Sequence, residues 1–277
     1  MKQTITLIST LIFTDILEPV QHTIPRHIDG AEMVLIPAGD FQMGSDEGYD
    51  EVPVHTVYLD AYYIDKYEVT NAQYQKFLLA NPEWQKDHIP AQYHDGYYLE
   101  NWDGINYPAD KANHPVVCVS WFAAAAYAKW VGAHLPTEAQ WEKAARGGVS
   151  GKKYPWGDEL SHDYANYEGT GGKDIWDETS PVGSFPPNSY GLYEMIGNVW
   201  EWCADIYDNN YYSCSPQRNP VGPSDDAQNQ KCTRVLRGGS WINFDVNFLR
   251  CAFRASAEPI FTLNDVGLRC AISCNNK

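Results

Sequence analysis

The chain is poor in regular periodicity. Between Ala31 and Cys270 only three stretches read as helices, and the rest runs through Gly, Pro, Asn and aromatic residues with short strand-like runs. The pattern predicts a loop-dominated α+β domain whose irregular connections need their own stiffening. Each helix carries a start signal. Thr70-Asn71 precedes residues 72–80, and Ser120 precedes an Ala-rich run over 121–131. The third begins at Pro136-Thr137-Glu138, with Thr137 as N-cap and Glu138 and Glu142 near the positive helix end, and stops at Gly147-Gly148. Strands are expected at Met33-Val-Leu-Ile36 and over residues 54–58 and 233–237.

Of the 277 residues, the stretch from Ala31 to Cys270 is interrupted by no Ser/Gly-rich linker or charge block, which predicts one domain over 30–274 behind an N-terminal extension of 1–29. The 10 Trp and 19 Tyr beside 9 Phe favour rings with a polar handle, half-buried under loops. A formal charge of −16 repels phosphate backbones and anionic lipid surfaces, which argues against nucleic acid as a partner. Its carboxylates either form a solvated surface or serve hard cations. The seven Cys include no CxxC pair and no Cys/His spacing of the zinc kind, and their odd number leaves one unpaired if the others bridge. The run from Ile5 to Phe13 passes for a short signal segment, but Thr and Ser dilute it and Asp15 follows, so the cytoplasm and export both stay open. Nothing approaches the roughly 18 apolar residues of a membrane span.

Uncommon motifs recur in a fixed order: Ile36-Pro-Ala-Gly-Asp-Phe-Gln-Met-Gly44, Glu68-Val-Thr-Asn-Ala-Gln-Tyr74, His114-Pro-Val-Val-Cys-Val-Ser-Trp121 and Leu135-Pro-Thr-Glu-Ala-Gln-Trp-Glu142. Tyr154-Pro-Trp-Gly157, Asn188-Ser-Tyr-Gly-Leu-Tyr193, Gly197-Asn-Val-Trp-Glu-Trp202, Arg237-Gly-Gly-Ser-Trp241 and Gly267-Leu-Arg-Cys270 follow. As an ordered set they resemble the formylglycine-generating enzyme (sulfatase-modifying factor) family, whose founding members oxidise a sulfatase cysteine to formylglycine. The resemblance implies a C-type-lectin-like α+β fold with little regular secondary structure. It does not by itself imply the oxidase activity, because the scaffold also serves sulfoxide synthases, siderophore-maturation factors and retroelement variable proteins.

The resemblance also implies structural Ca2+. One family site falls on Asn166, Tyr167, Asp174 and Trp176, the second on the side chains of Glu194 and Glu201 with the carbonyls of Gly197 and Val199. The family often has Asn at the position of Glu194; a carboxylate still suits a hard cation. The alternative is that these acids lie on an exposed loop or cap a turn.

In the family's oxidases two cysteines between the Gly-Gly-Ser and Arg-Cys-Ala motifs bind Cu(I). The matching stretch here, Ile242-Asn-Phe-Asp-Val-Asn-Phe-Leu249, holds none, which argues against copper chemistry. Cys251 and Cys270 match cysteines that are bridged in the vertebrate enzyme, but their partners' positions fall near Ala128 and Ala145, so both are expected to be buried thiols. The eight His are scattered, and His114 reads as a hydrogen-bonded scaffold residue. Instead, Ile242, Phe244, Val246, Phe248, Ile260, Phe261 and Leu263 stand where many relatives have polar residues. In variable proteins these stretches form the ligand-binding face, and all of residues 242–249 lie within the set that randomised Asn codons give. The expectation is therefore a protein- or peptide-binding face at Trp241, Asn243, Phe244, Asn247, Phe261 and Asn264, all but Trp241 well exposed. Ordinary core is one alternative, and an oxidoreductase of protein or peptide substrates with a rearranged site is the other.

Overall fold

The computed structural model describes residues 22–224 and 232–274, so the signal-like run at 5–13 lies outside the described residues. Strands β1 (Thr23–Arg26), β2 (Ala31–Ile36), β5 (Tyr62–Asp65) and β10 (Ala271–Ser273) form one antiparallel sheet in the order β1-β2-β5-β10. β3 (Gly39–Met43) and β4 (His55–Leu59) make a hairpin. β6 (Trp200–Ile206), β7 (Arg234–Arg237), β8 (Ala255–Ala257) and β9 (Val266–Gly267) form the second four-stranded sheet in the order β8-β7-β6-β9, with β6 and β9 parallel. Order begins earlier than the sequence suggests, because β1 pairs with β2 ahead of residue 30, and Arg26 and Asp29 are buried. Pro25 hid this strand. It is tolerated there because β1 is an edge, where one face of the backbone needs no ladder partner.

Helices α1 (Asn71–Ala80), α2 (Trp121–Trp130) and α3 (Glu138–Arg146) begin where the caps put them. Thr70 and Thr137 each close a capping box, Ser120 accepts from Ala123 N, and Gly147 ends α3 in the left-handed region. Among the described residues two large apolar clusters, with a small third at Val117, Cys118 and Val199, fill the interior. One gathers Trp141, Ala144 and Ala145 of α3 with Ile36, Val57 and Ile64, and the other packs Tyr74, Phe77 and Tyr127 of α1 and α2 with Trp202 and Leu268. Two of the buried rings illustrate the polar handle: the Tyr127 hydroxyl donates to Asp29 Oδ2 at 2.5 Å and Trp202 Nε1 to the Val119 carbonyl at 2.9 Å.

The loops are held by buried arginines. Arg250 forks onto Glu51 at 2.6 and 2.7 Å across 199 residues of chain. Arg254 forks onto Glu138 at 2.7 and 2.9 Å, Arg26 spans Asp29 and Asp65, and Arg269 grips Glu201 at 2.7 Å. Arg237 and Arg146 share Glu142. Such pairs cost desolvation, and removing one partner strands the other charge in the interior. His114 is a scaffold residue as expected: its Nδ1 lies 3.0 Å from Thr179 Oγ1, and burial lowers its pKa to about 4.

Candidate binding face and cation sites

The face grows from the turn that follows β7. Gly238 (φ +101°) and Gly239 (φ +75°) reverse the chain, and a Cβ on Gly239 would stand 2.5 Å from Leu249 Cδ2, so only glycine fits. Beyond it, Trp241 N donates to the Asn198 carbonyl at 2.9 Å and Ser240 Oγ to Asp265 Oδ2 at 2.8 Å. Asp245 Oδ1 accepts from Asn247 N at 2.9 Å and starts the short helical turn Val246–Leu249. The opposing stretch is pinned by backbone bonds from Trp121 N to the Pro259 carbonyl (3.0 Å), Cys118 N to the Leu263 carbonyl (2.9 Å) and Trp200 N to the Asp265 carbonyl (2.8 Å).

On this frame Phe244 is 81 % exposed, and Ile242, Val246 and Leu263 are 45, 46 and 40 % exposed. Asn247 and Asn264 also face solvent. Two expectations need correction. Phe261 is half-buried against the cluster around α2, because Trp121 and Pro259 hold its loop close. Asn243 is partly buried, because its Oδ1 accepts from Ser240 N at 2.7 Å and so fixes the turn. The six residues also do not share one hollow. Asn243 reaches a cavity of about 490 Å³ walled by Trp200, Leu236, Phe248, Phe253 and Leu263, whereas Trp241 and Asn264 line another of about 350 Å³ beside Asn71 and Cys118. Tyr49, Asp50 and Phe253 complete the larger cavity and were missed. Tyr49 and Asp50 come from a loop some 200 residues away, and no local pattern linked them to the face.

All seven cysteines are free thiols. Burial pushes Cys118 up to about 11 and Cys251 up to about 12, so both stay protonated near neutrality. Ala128 and Ala145, at the positions of the bridging partners, are fully buried.

At the first predicted cation site, Asp174 is buried and accepts from Tyr167 N and Trp176 N, each at 3.3 Å, and sits 3.0 Å from His162 Nδ1. Asn166 donates through Nδ2 to the Glu178 carbonyl at 2.7 Å, and its buried Oδ1 has no partner among the described residues. An amide oxygen, a carboxylate and nearby carbonyls fit a hard cation. At the second, Glu194 accepts from Gly183 N (2.8 Å) and Phe185 N (3.3 Å), and Glu201 already carries Arg269 and, at 2.7 Å, Trp141 Nε1. Gly197 and Val199, whose carbonyls the resemblance implies as ligands, lie where the chain enters β6. Glu68 is a third acid there that the sequence did not reveal; its Oε1 has no partner, and Asn198 Nδ2 donates to its Oε2 at 2.6 Å. Burial pushes Glu194 up to about 7 and, with repulsion from Glu194 and Glu201, holds Glu68 well above the carboxylate range. Among the described residues no three His, Cys, Asp or Glu side chains converge as a cage, so either set depends on carbonyl oxygens.

A family profile described as "Sulfatase-modifying factor enzyme 1-like domain" matches residues 19–274. The formylglycine-generating enzyme of Streptomyces coelicolor is 37 % identical over 92 % of this chain and 92 % of its own. A mouse protein named "Inactive C-alpha-formylglycine-generating enzyme 2" is 33 % identical over 89 % of this chain and 87 % of its own. The Chlamydia pneumoniae protein named serine/threonine-protein kinase pkn1 is 40 % identical over 88 % of this chain, which spans only 38 % of that relative's length. Among solved structures, PvdO from Pseudomonas aeruginosa superposes with a TM-score of 0.72 at 29 % identity, over 91 % of this chain and 98 % of its own. The Treponema denticola variable protein 1 gives 0.69 at 25 %, over 93 % and 100 %.

Proposed function

The chain belongs to the sulfatase-modifying factor family, and we propose that it serves there as a protein- or peptide-binding scaffold whose contact surface lies around residues 241–265. It has that family's α+β, C-type-lectin-like fold. One observation carries the proposal. The stretch 242–249, where the family's oxidases place their copper-binding cysteines, holds no cysteine and instead turns Ile242, Phe244 and Val246 to solvent. Cu(I) needs soft thiolates, and Cys118, which lines a cavity with Trp241, and Cys251, two residues beyond the stretch, are buried and protonated. Apolar side chains exposed together on a stiff frame suit recognition of a partner.

The likeness to a relative named as inactive and to a variable protein supports the same reading. That a similar stretch forms part of a longer kinase-named relative also suits a recognition module. Calcium belongs to the proposal as a structural ion. Asn166 and Asp174, with the carbonyls of Tyr167 and Trp176, would hold one ion, and Glu194 and Glu201, with the carbonyls of Gly197 and Val199, a second. The orphaned Asn166 Oδ1 supports the first. The test is metal analysis together with oxygen consumption in the presence of copper and a Cys-x-Pro-x-Arg peptide. The expected result is no turnover; stoichiometric copper with turnover overturns the proposal in favour of an oxidoreductase.

A further inference from the structure

The larger cavity at the face is apolar at its floor and acidic at its wall. Phe248 and Phe253 meet with ring centroids 4.9 Å apart, Trp200 lies 6.1 Å from Phe253, and Leu236, Leu263 and Val266 close the sides. Its volume of about 490 Å³ lies within the usual range for a ligand pocket and admits one large side chain with room beside it. Tyr49, 80 % exposed, stands at the mouth. The charges on the wall are unequal in what they have left to offer. Arg254 is engaged by Glu138, to which it forks at 2.7 and 2.9 Å, and by the carbonyls of Asp50 and Asp208 at 2.8 and 3.1 Å. The Asp50 carboxylate accepts a phenolic proton from Tyr207 at 2.6 Å, with Arg254 Nη1 at 2.8 Å from the Asp50 carbonyl, whereas the Asp265 carboxylate accepts only the Ser240 hydroxyl at 2.8 Å. Neither acid forms an ion pair among the described residues. An uncompensated carboxylate on an apolar wall is costly in the free protein and is relieved by a cation that arrives with the ligand. An acidic partner would meet repulsion at the same place.

Building on the binding reading above, we propose that this cavity is an anchor pocket for a protein segment presenting an aromatic or large aliphatic side chain beside a Lys or Arg, with the ring on Phe248 and Phe253 and the cation at Asp265. Ile242, Phe244 and Val246, exposed on the same loop, extend the contact outside the pocket.

The probe is a phage-displayed dodecapeptide library selected on the immobilised protein, followed by calorimetry with a blocked consensus peptide. Selected sequences are expected to share an aromatic or large aliphatic residue within two positions of a Lys or Arg. Asp265→Asn keeps an acceptor for Ser240 and should weaken the peptide roughly tenfold, the worth of one charge-assisted contact, while flattening its salt dependence. Leu263→Arg, at a position 40 % exposed, should block the pocket and supply the missing cation, so binding is lost while the melting temperature holds. A library that yields no binder refutes the scaffold reading itself. Binders without a basic residue, or a basic binder that Asp265→Asn leaves unchanged, refute the pocket assignment and leave that reading standing.

Discussion

Phe244 and Phe261 lie in stretches of similar composition but have opposite surroundings, so truncating each to Ser measures what the structure claims. Phe244 is 81 % exposed, which leaves about a fifth of it covered. A Phe side chain that buries about 200 Å² when fully inside would here cover roughly 40 Å², worth about 1 kcal/mol at 25 cal/mol per Å². Phe261 packs against the cluster around α2, and its loss removes most of a ring from a site that cannot fully collapse, for roughly 2–3 kcal/mol. Urea unfolding followed by fluorescence, with the slope unchanged between variants, reads both values. Phe244→Ser should stay within about 1 kcal/mol of the parent and still weaken any selected peptide. If Phe244→Ser cost 2 kcal/mol or more, or Phe261→Ser were indistinguishable from the parent, the assignment of one ring to the surface and the other to the interior would be wrong.

Chelation with EDTA should lower the melting temperature by removing an ion that binds only the folded chain, and Asn166→Ala should blunt that response; an unchanged curve with no calcium in the purified protein rules the sites out. Asp205, buried beneath the start of α3 where its Oδ2 accepts from Glu138 N at 2.9 Å, is pushed from 3.8 up to about 8, first by burial and then by Glu138. The folded form therefore holds a proton that the unfolded chain has released between those values, so this contribution is full below about pH 4 and declines as pH rises towards 8. Asp205→Asn should flatten that slope in melts taken from pH 5 to 8, and an unaltered slope would show that Asp205 is not its source. Arg269→Met should cost about 3–5 kcal/mol by stranding Glu201, and adding Glu201→Gln should recover part of the loss; no recovery would mean the pair is not coupled.

What the sequence made legible was what neighbouring residues decide. Thr70, Ser120 and Thr137 start their helices through hydrogen bonds to amides three residues on, and Gly147 stops α3 by adopting a positive φ. These signals need no knowledge of the rest of the chain. The motif order likewise carried the family and the fold. The arginine clamps were not legible, because the partner of Arg250 lies 199 residues away and nothing near either residue points to the other. Calcium was the one cross-link the sequence suggested for the loops, and the structure adds buried guanidinium–carboxylate pairs that do the same work. Glu201 illustrates the overlap, being both a predicted calcium ligand and the acid that Arg269 holds.

The face was legible only in part, for a related reason. With no periodicity across residues 242–265, apolar character could not say which way a ring points, and Phe244 and Phe261 went opposite ways. What decides direction is the backbone. Trp241 N on the Asn198 carbonyl, Cys118 N on the Leu263 carbonyl and Trp200 N on the Asp265 carbonyl hold both stretches through main-chain atoms, with the side chains of Ser240, Asn243 and Asp245 completing the frame. Side chains at Ile242, Phe244, Val246, Asn247 and Asn264 therefore contribute little to holding the fold and are free to answer to a partner. The residues that turn inward, Asn243 and Phe261, are the ones whose replacement should be felt by the fold.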